Sequence, residues 1–303
     1  MSVTPHSVDA DAAPSPVLER EHRARALGSA LAASPARARR SILSTAMDRV
    51  VTIELTEGIA SITLDSQHNR NALSKQLLAE LHECLDDAEA ANARAIVLRH
   101  EGPAFCAGAD LKERAGDSAP AGGAGIDSNP MVRALERLMD TERPTIAAVD
   151  GAVRAGGIGL MAACDLVVVD AATTFALTEV RIGVAPAIIS VPILRRVPAG
   201  KIAAAMLTGE PFDAAEARSI GLVTHVTDDV AATVAALCDG VRAGAPRAVR
   251  ETKRLLRHVP TLERSVAFAE MEALSTELFE GPDAAAGMAA FREKRTPDWS
   301  NAD

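Results

Sequence analysis

The sequence predicts an α/β fold followed by a helical C-terminal region, and three observations predict it. From Val50 onward, short apolar runs of strand length alternate with stretches whose apolar residues recur at helical spacing. Two segments rich in glycine and alanine, residues 102–113 and 150–160, each lie between such a run and a helical stretch. From about residue 186 the pattern is almost entirely helical. Strands that alternate with helices pair in parallel, because a parallel neighbour requires a crossover long enough to hold a helix.

The elements follow in order. Residues 51–55 alternate apolar and polar, Glu57-Gly58 turns the chain, and residues 59–64 return, so the pair reads as a hairpin. Ser74 is placed to cap a helix whose apolar face is Leu77, Leu78, Leu81, Cys84, Leu85 and Ala88. Residues 95–98, 145–149 and 165–169 read as short buried strands, and 174–177 as a fourth. A helix is expected over 131–140, ahead of Pro144, and residues 113–130, rich in Gly, Ala, Ser and Pro, read as a loop. No tandem repeat is evident, although strand–turn–helix units recur.

Composition narrows the chemistry. A chain of 303 residues with 48% hydrophobic residues can bury a full core, and with 2% aromatics that core is aliphatic. There is no tyrosine, which excludes a reductase built on a Tyr–Lys pair. Six phenylalanines and one tryptophan are too few for the stacking platforms of a single-strand binder, and a net charge of −9 repels a phosphate backbone. Cys84, Cys106, Cys164 and Cys238 are widely spaced, which argues against a structural metal site or a disulfide framework and fits reduced thiols in a cytoplasmic protein. No uncharged apolar run reaches the roughly 18–20 residues of a membrane span. Residues 1–46 carry six Arg and four acids and read as a flexible extension, with Met47 a candidate start. Residues 47–245 are expected to form the core and 246–303 a helical region. Residues 247–257 hold five basic residues at helical spacing, read as a solvated face.

Both glycine-rich junctions suit a backbone that approaches a ligand closely. Two free N–H groups aimed at one point would polarise a carbonyl and stabilise an oxyanion. Neither junction has the Gly-x-Gly-x-x-Gly order of a dinucleotide site.

Several motifs then occur in order: Asn71-Ala72-Leu73; Phe105-Cys106-Ala107-Gly108-Ala109-Asp110; Asp150-Gly151 with Gly156-Gly157; and Phe175-Ala176-Leu177-Thr178-Glu179. Leu207-Thr208-Gly209-Glu210, Ile220-Gly221-Leu222-Val223 and the final Ala290-Phe291 segment continue the series. Together they resemble the enoyl-CoA hydratase/isomerase (crotonase) superfamily over about residues 48–300. The resemblance implies a crotonase-like spiral of β-β-α units with a C-terminal helical trimerisation region, forming a homotrimer or homohexamer.

It also implies an acyl-CoA thioester substrate, with coenzyme A part of the substrate, no further cofactor and no metal. The thioester oxygen would be held by the N–H groups of Ala109 and Gly156, and the CoA moiety by His68, Asn69, Arg70, Ala107, Asp110 and Leu111. Gly157, Gly159 and Arg154 would border the acyl pocket, with Arg154 either meeting an anionic acyl tail or pointing to solvent. Two-carboxylate hydratases of the family use one Glu at the position of Gly159 and a second at Glu179. Here only Glu179 is present. It is expected either to transfer a proton or to pair with Arg181 at the surface. The implied activity is hydration of a 2-enoyl-CoA. The alternatives are double-bond isomerisation by the same Glu, and a non-catalytic acyl-CoA-binding protein that Gly159→Glu would restore. Gly183-Val184-Ala185-Pro186-Ala187-Ile188-Ile189-Ser190 is similar to bacterial members resembling methylglutaconyl-CoA hydratases. A dehalogenase of the family would need an Asp near Ala187.

Overall fold

The computed structural model of the chain describes residues 49–116 and 129–299. The expected extension, residues 1–46, and most of the expected loop at 113–130 lie outside them. Strands β1 (Val51–Thr56) and β2 (Ile59–Leu64) form the hairpin, in register from Val51 opposite Leu64 to Thr56 opposite Ile59. Glu57 and Gly58 turn it at positive φ. Helix α1 (Lys75–Ala90) begins at Ser74, whose side-chain oxygen accepts the Leu77 N–H at 3.1 Å, and it buries the apolar face read from the sequence.

A unit of two strands and a helix then recurs. Strand β3 (Ala95–His100) leads into β4 (Ala104–Cys106), α2 (Leu111–Gly116) and α3 (Pro130–Asp140). Strand β5 (Thr145–Val149) leads into β6 (Ala152–Arg154) and α4 (Gly156–Ala162). Strand β7 (Leu166–Asp170) leads into β8 (Thr174–Ala176), a 3₁₀ turn (Glu179–Ile182) and α5 (Ala187–Arg196). The chain continues through α6 (Ala199–Thr208), β9 (Phe212–Asp213), α7 (Ala214–Ser219), β10 (His225–Thr227) and α8 (Val230–Ala243). The first strand of each unit joins a six-stranded sheet ordered β1-β2-β3-β5-β7-β10, parallel except at the hairpin. The second strands form a smaller sheet, β4-β6-β8-β9. This is the spiral of β-β-α units that the motifs imply.

The larger sheet is covered on both faces. One carries Ile62, Leu64 and Leu98 into the main core with α1; the other packs Ile59, Val97, Ile146 and Val168 against Val234 and Cys238 of α8. Burial on both faces is why residues 95–98 read as an unbroken apolar run rather than an alternation. All four cysteines are buried and unbridged.

Helices α9 (Pro246–His258), α10 (Arg264–Glu280) and α11 (Pro282–Arg292) follow. Lys253 pins α9 to the core: its buried ammonium donates to Asp165 Oδ2 at 2.7 Å and to the Arg143 carbonyl at 2.7 Å. The other four basic residues of 247–257 pair with acids, Arg247 with Glu277, Arg250 with Glu142, Arg254 with Glu251 and Arg257 with Asp140. That face is a charge-balanced seam rather than an open cationic surface. No helix among the described residues is long and apolar enough to cross a membrane.

Candidate active site

The first junction is stapled to the segment that precedes α1. Wholly buried Asn71 accepts the Ser66 N–H at 2.6 Å and donates to the carbonyls of Glu101 (3.1 Å) and Ala104 (2.8 Å). The Leu73 N–H donates to the Gly108 carbonyl at 2.7 Å, and the Ala107 N–H to the Arg70 carbonyl at 3.0 Å. Gly108 has φ +95°, a conformation that excludes a side chain. Asp110 then starts α2 by accepting the Lys112 N–H at 3.0 Å, and its other oxygen accepts Asn69 Nδ2 at 3.2 Å. The Asn69 bond first, and the backbone amides of Lys112 and Glu113 with it, hold the Asp110 carboxyl below the usual range.

The second junction begins with the Asp150 turn, where His100 Nε2 lies 2.7 Å from Asp150 Oδ1. It ends at Ala155, which has φ +47° and ψ −117°, a backbone strained by roughly 1–3 kcal/mol for a residue with a side chain. Bonds on both sides hold it: its N–H donates to Ala176 O of β8 at 2.9 Å, and its carbonyl accepts the Ile158 N–H at 2.9 Å. Gly156 is the first residue of α4, so its N–H is one of the first-turn donors that the helix itself does not satisfy. The two junctions abut, since a β-carbon on Gly108 would lie 2.9 Å from Ala155 Cβ and 3.8 Å from Gly156 N. The N–H groups of Ala109 and Gly156 have no acceptor among the described residues. Unspent donors on abutting loops are what stabilising a developing oxyanion requires. Leu73 and Met131 border this point; a β-carbon on Gly156 would lie 2.6 Å from Leu73 Cδ1 and 3.9 Å from Met131 Cε.

Glu179 opens the 3₁₀ turn three residues beyond Ala176, the residue that holds Ala155. Its Oε2 is buried and has no hydrogen-bond partner, and burial raises its pKa. The surface pairing weighed for it does not form: Arg181 bonds Thr208 O at 3.0 Å and Glu210 at 2.6 Å.

The residues expected to hold CoA are brought together in pairs. Asn69 meets Asp110 and Arg70 meets Ala107, while His68 lies 3.4 Å from Ser66 Oγ. Arg70 holds a left-handed backbone, and Arg70, Ala107 and Leu111 are exposed.

The three residues expected to border the acyl pocket each have close neighbours. A β-carbon on Gly157 would lie 2.6 Å from Cys106 Cβ, and one on Gly159 would lie 2.4 Å from Ile189 Cγ2. Both glycines therefore turn their α-carbons to packed neighbours, β4 and α5, rather than to open space. A side chain at 159 would meet Ile189 of α5, so the rescue expected of Gly159→Glu requires α5 to give way. Arg154 is bonded to Thr174, at 2.6 Å to its carbonyl and 3.0 Å to its hydroxyl, so its guanidinium is committed to the start of β8. Ile189 and Ala155 lay within segments the sequence singled out, but nothing in those segments marked the Ile189 contact or the Ala155 strain; Met131 had no such signal, and Leu73 lay in plain view within Asn71-Ala72-Leu73.

Residues 54–302 match the family model described as enoyl-CoA hydratase/isomerase. The chain is 31% identical to enoyl-CoA hydratase EchA19 of Mycobacterium tuberculosis, over 79% of this chain and 92% of that protein. It is 30% identical to the mitochondrial methylglutaconyl-CoA hydratase of Mus musculus, over 80% of each. The crystal structure of an enoyl-CoA hydratase/isomerase from Marinobacter aquaeolei superposes with a TM-score of 0.76 at 30% identity, over 83% of this chain and 99% of that one. With two stapled loops, two unspent amides and a family match across nearly all of the described chain, this protein belongs to the enoyl-CoA hydratase/isomerase family.

Proposed function

We propose that the protein adds water to a 2-enoyl-CoA thioester, with Glu179 as its single acid–base group and the Ala109 and Gly156 N–H groups on the thioester oxygen. The observation that carries this reading is the buried Glu179 oxygen without a partner, on the segment whose Ala176 carbonyl holds Ala155, next in the chain to Gly156. The Glu179 carboxylate takes a proton from water as the water oxygen bonds to the β-carbon. The double-bond electrons move onto the thioester oxygen, where the two amides hold them. The enolate then collapses and takes the proton from Glu179 at the α-carbon. One water is added, Glu179 returns to carboxylate, and both new bonds form on one face. His68, Asn69, Arg70, Ala107, Asp110 and Leu111 would line the CoA surface. The reaction needs no cofactor and no metal.

Purified protein should remove the conjugated absorbance of crotonyl-CoA. Glu179→Gln should lose about 10²–10⁴ in kcat while still binding CoA thioesters. Full turnover in that variant would overturn the assignment.

The Gly159–Ile189 contact favours a second reading, isomerisation, because a side chain at 159, where the second carboxylate would stand, would meet α5. Glu179 would then move a proton from C2 to C4 of a 3-enoyl-CoA, with no water added. Conversion of that substrate without uptake of solvent oxygen selects this reading. Tight binding with no turnover on either substrate selects a non-catalytic acyl-CoA binder.

Assembly into a trimer or hexamer is part of the proposal. Helix α10 has no buried residue, and Phe268, Phe279 and Phe291 are exposed, half of the chain's phenylalanines. Apolar surface of that kind favours burial against another copy.

A further inference from the structure

The turn that carries Glu179 holds one other charged side chain, Arg181, and the structure commits it elsewhere. Gly209 ends α6 at φ +68°, and a β-carbon there would lie 2.9 Å from Arg181 Nε and 3.2 Å from its Cδ and Cγ. The arginine arm thus lies across a notch that only glycine leaves. Its Nε donates to Thr208 O at 3.0 Å, at the negative end of α6, and a terminal nitrogen donates to Glu210 Oε1 at 2.6 Å. Glu210 is itself oriented, its N–H donating to Thr208 Oγ1 at 3.1 Å. An exposed ion pair alone adds little; here a helix-end carbonyl and a shaped notch act with it.

Residues two apart in a 3₁₀ turn project about 120° apart, so the latched Arg181 arm leaves the turn on a different side from the Glu179 carboxyl, and release from the latch is what would let its flexible chain turn back toward that carboxyl. Nothing charged does so now. Burial is the largest cause of the raised Glu179 pKa, opposed by its own backbone hydrogen bond. On neighbouring α5, Arg196 is bound to the carbonyls of Ala162, Cys164 and Asp165, and Arg195 is exposed, as is Lys201 on α6.

We propose that Arg181 and Glu210 are positioning residues for Glu179: their latch onto the end of α6 fixes the turn that carries the carboxylate and keeps the turn's own cation off it. This rests on the reading of Glu179 as the proton-transfer group. If Glu210 is neutralised, the guanidinium loses its counter-charge and keeps only the Thr208 carbonyl and the notch, so it is released for part of the time to pair with Glu179, which weakens that carboxylate as a base and occupies its lone pairs.

The test is a ¹³C NMR titration of the glutamate side-chain carboxyls, with the Glu179 signal identified by its loss in Glu179→Gln. It runs beside the pH dependence of crotonyl-CoA turnover. In Glu210→Gln the Glu179 midpoint should fall by about one pH unit, with kcat reduced several-fold and KM little changed. The double variant Arg181→Met with Glu210→Gln should return the midpoint to the wild-type value, because no cation remains to shift it. Arg181→Lys should lower the midpoint by less than Glu210→Gln does. An unchanged midpoint in Glu210→Gln overturns the latch, even where Glu179→Gln abolishes turnover and the catalytic assignment stands. A lowered midpoint with full turnover in Glu179→Gln supports the latch as an electrostatic device and overturns the assignment of Glu179 instead.

Discussion

At Glu179, burial of a carboxyl whose Oε2 has no partner has consequences for rate and stability of opposite sign. The proposed base must be ionised, so kcat/KM should fall as pH falls through its pKa. Because burial has raised that pKa, the fall should set in at higher pH than for an ordinary glutamate. A carboxyl with a raised folded-state pKa favours the folded state most below its unfolded pKa, and that contribution is lost as pH rises through the folded value. Glu179→Gln should therefore raise Tm at neutral pH while it removes activity. Calorimetry should show the gain vanish in acid, where the wild-type carboxyl is neutral too. Gly159 shows the same economy of space without charge. Gly159→Ala forces its new carbon onto Ile189 and should cost about 1–3 kcal/mol in urea denaturation. Combined with Ile189→Ala, the total should fall short of the sum of the single costs by at least about 0.5 kcal/mol.

At the scale of elements, local rules account for what could be read early. The hairpin and α1 needed only alternation, a Glu-Gly turn and a serine cap, and all three are found where expected. Ser74→Ala should cost about 1 kcal/mol, because one N–H of the first turn loses its acceptor. Strands β4, β6, β9 and β10 are only two or three residues long and leave no period to detect. They exist because their neighbours hold them, so β10 of the larger sheet and the smaller sheet apart from β8 were not legible. Helix α9 depends on Lys253. Burial pulls this ammonium's pKa down even though Asp165 beside it favours the charge. Removing it leaves Asp165 and the Arg143 carbonyl without that partner, so Lys253→Met should cost about 3 kcal/mol, measured by chemical denaturation.

For the whole molecule, the aromatic residues divide the chain. Phe105, Phe175 and Phe212 are buried in the core, whereas Phe268, Phe279 and Phe291 are exposed on the last two helices. Light scattering should find a trimer or hexamer, and a monomer at micromolar concentration would contradict the proposed assembly. Phe268→Ser with Phe279→Ser should shift the population to smaller species while far-ultraviolet circular dichroism stays unchanged, because neither ring packs into the described core.

By itself, the sequence determined the α/β class, the hairpin, the capped helix, the two glycine-rich junctions and Glu179 as the lone carboxylate of its motif. Each of these rests on residues near one another in the chain, where spacing and residue type carry the information. Tertiary structure alone decided that Arg181 turns to Glu210 and not to Glu179, that Ile189 fills the space at Gly159, and that Arg154 is committed to Thr174. Those outcomes depend on which distant segment arrives at a few ångströms' distance. Only the folded chain decides which distant groups meet at a position, in the close-packed interior as at the surface, and no local pattern names them.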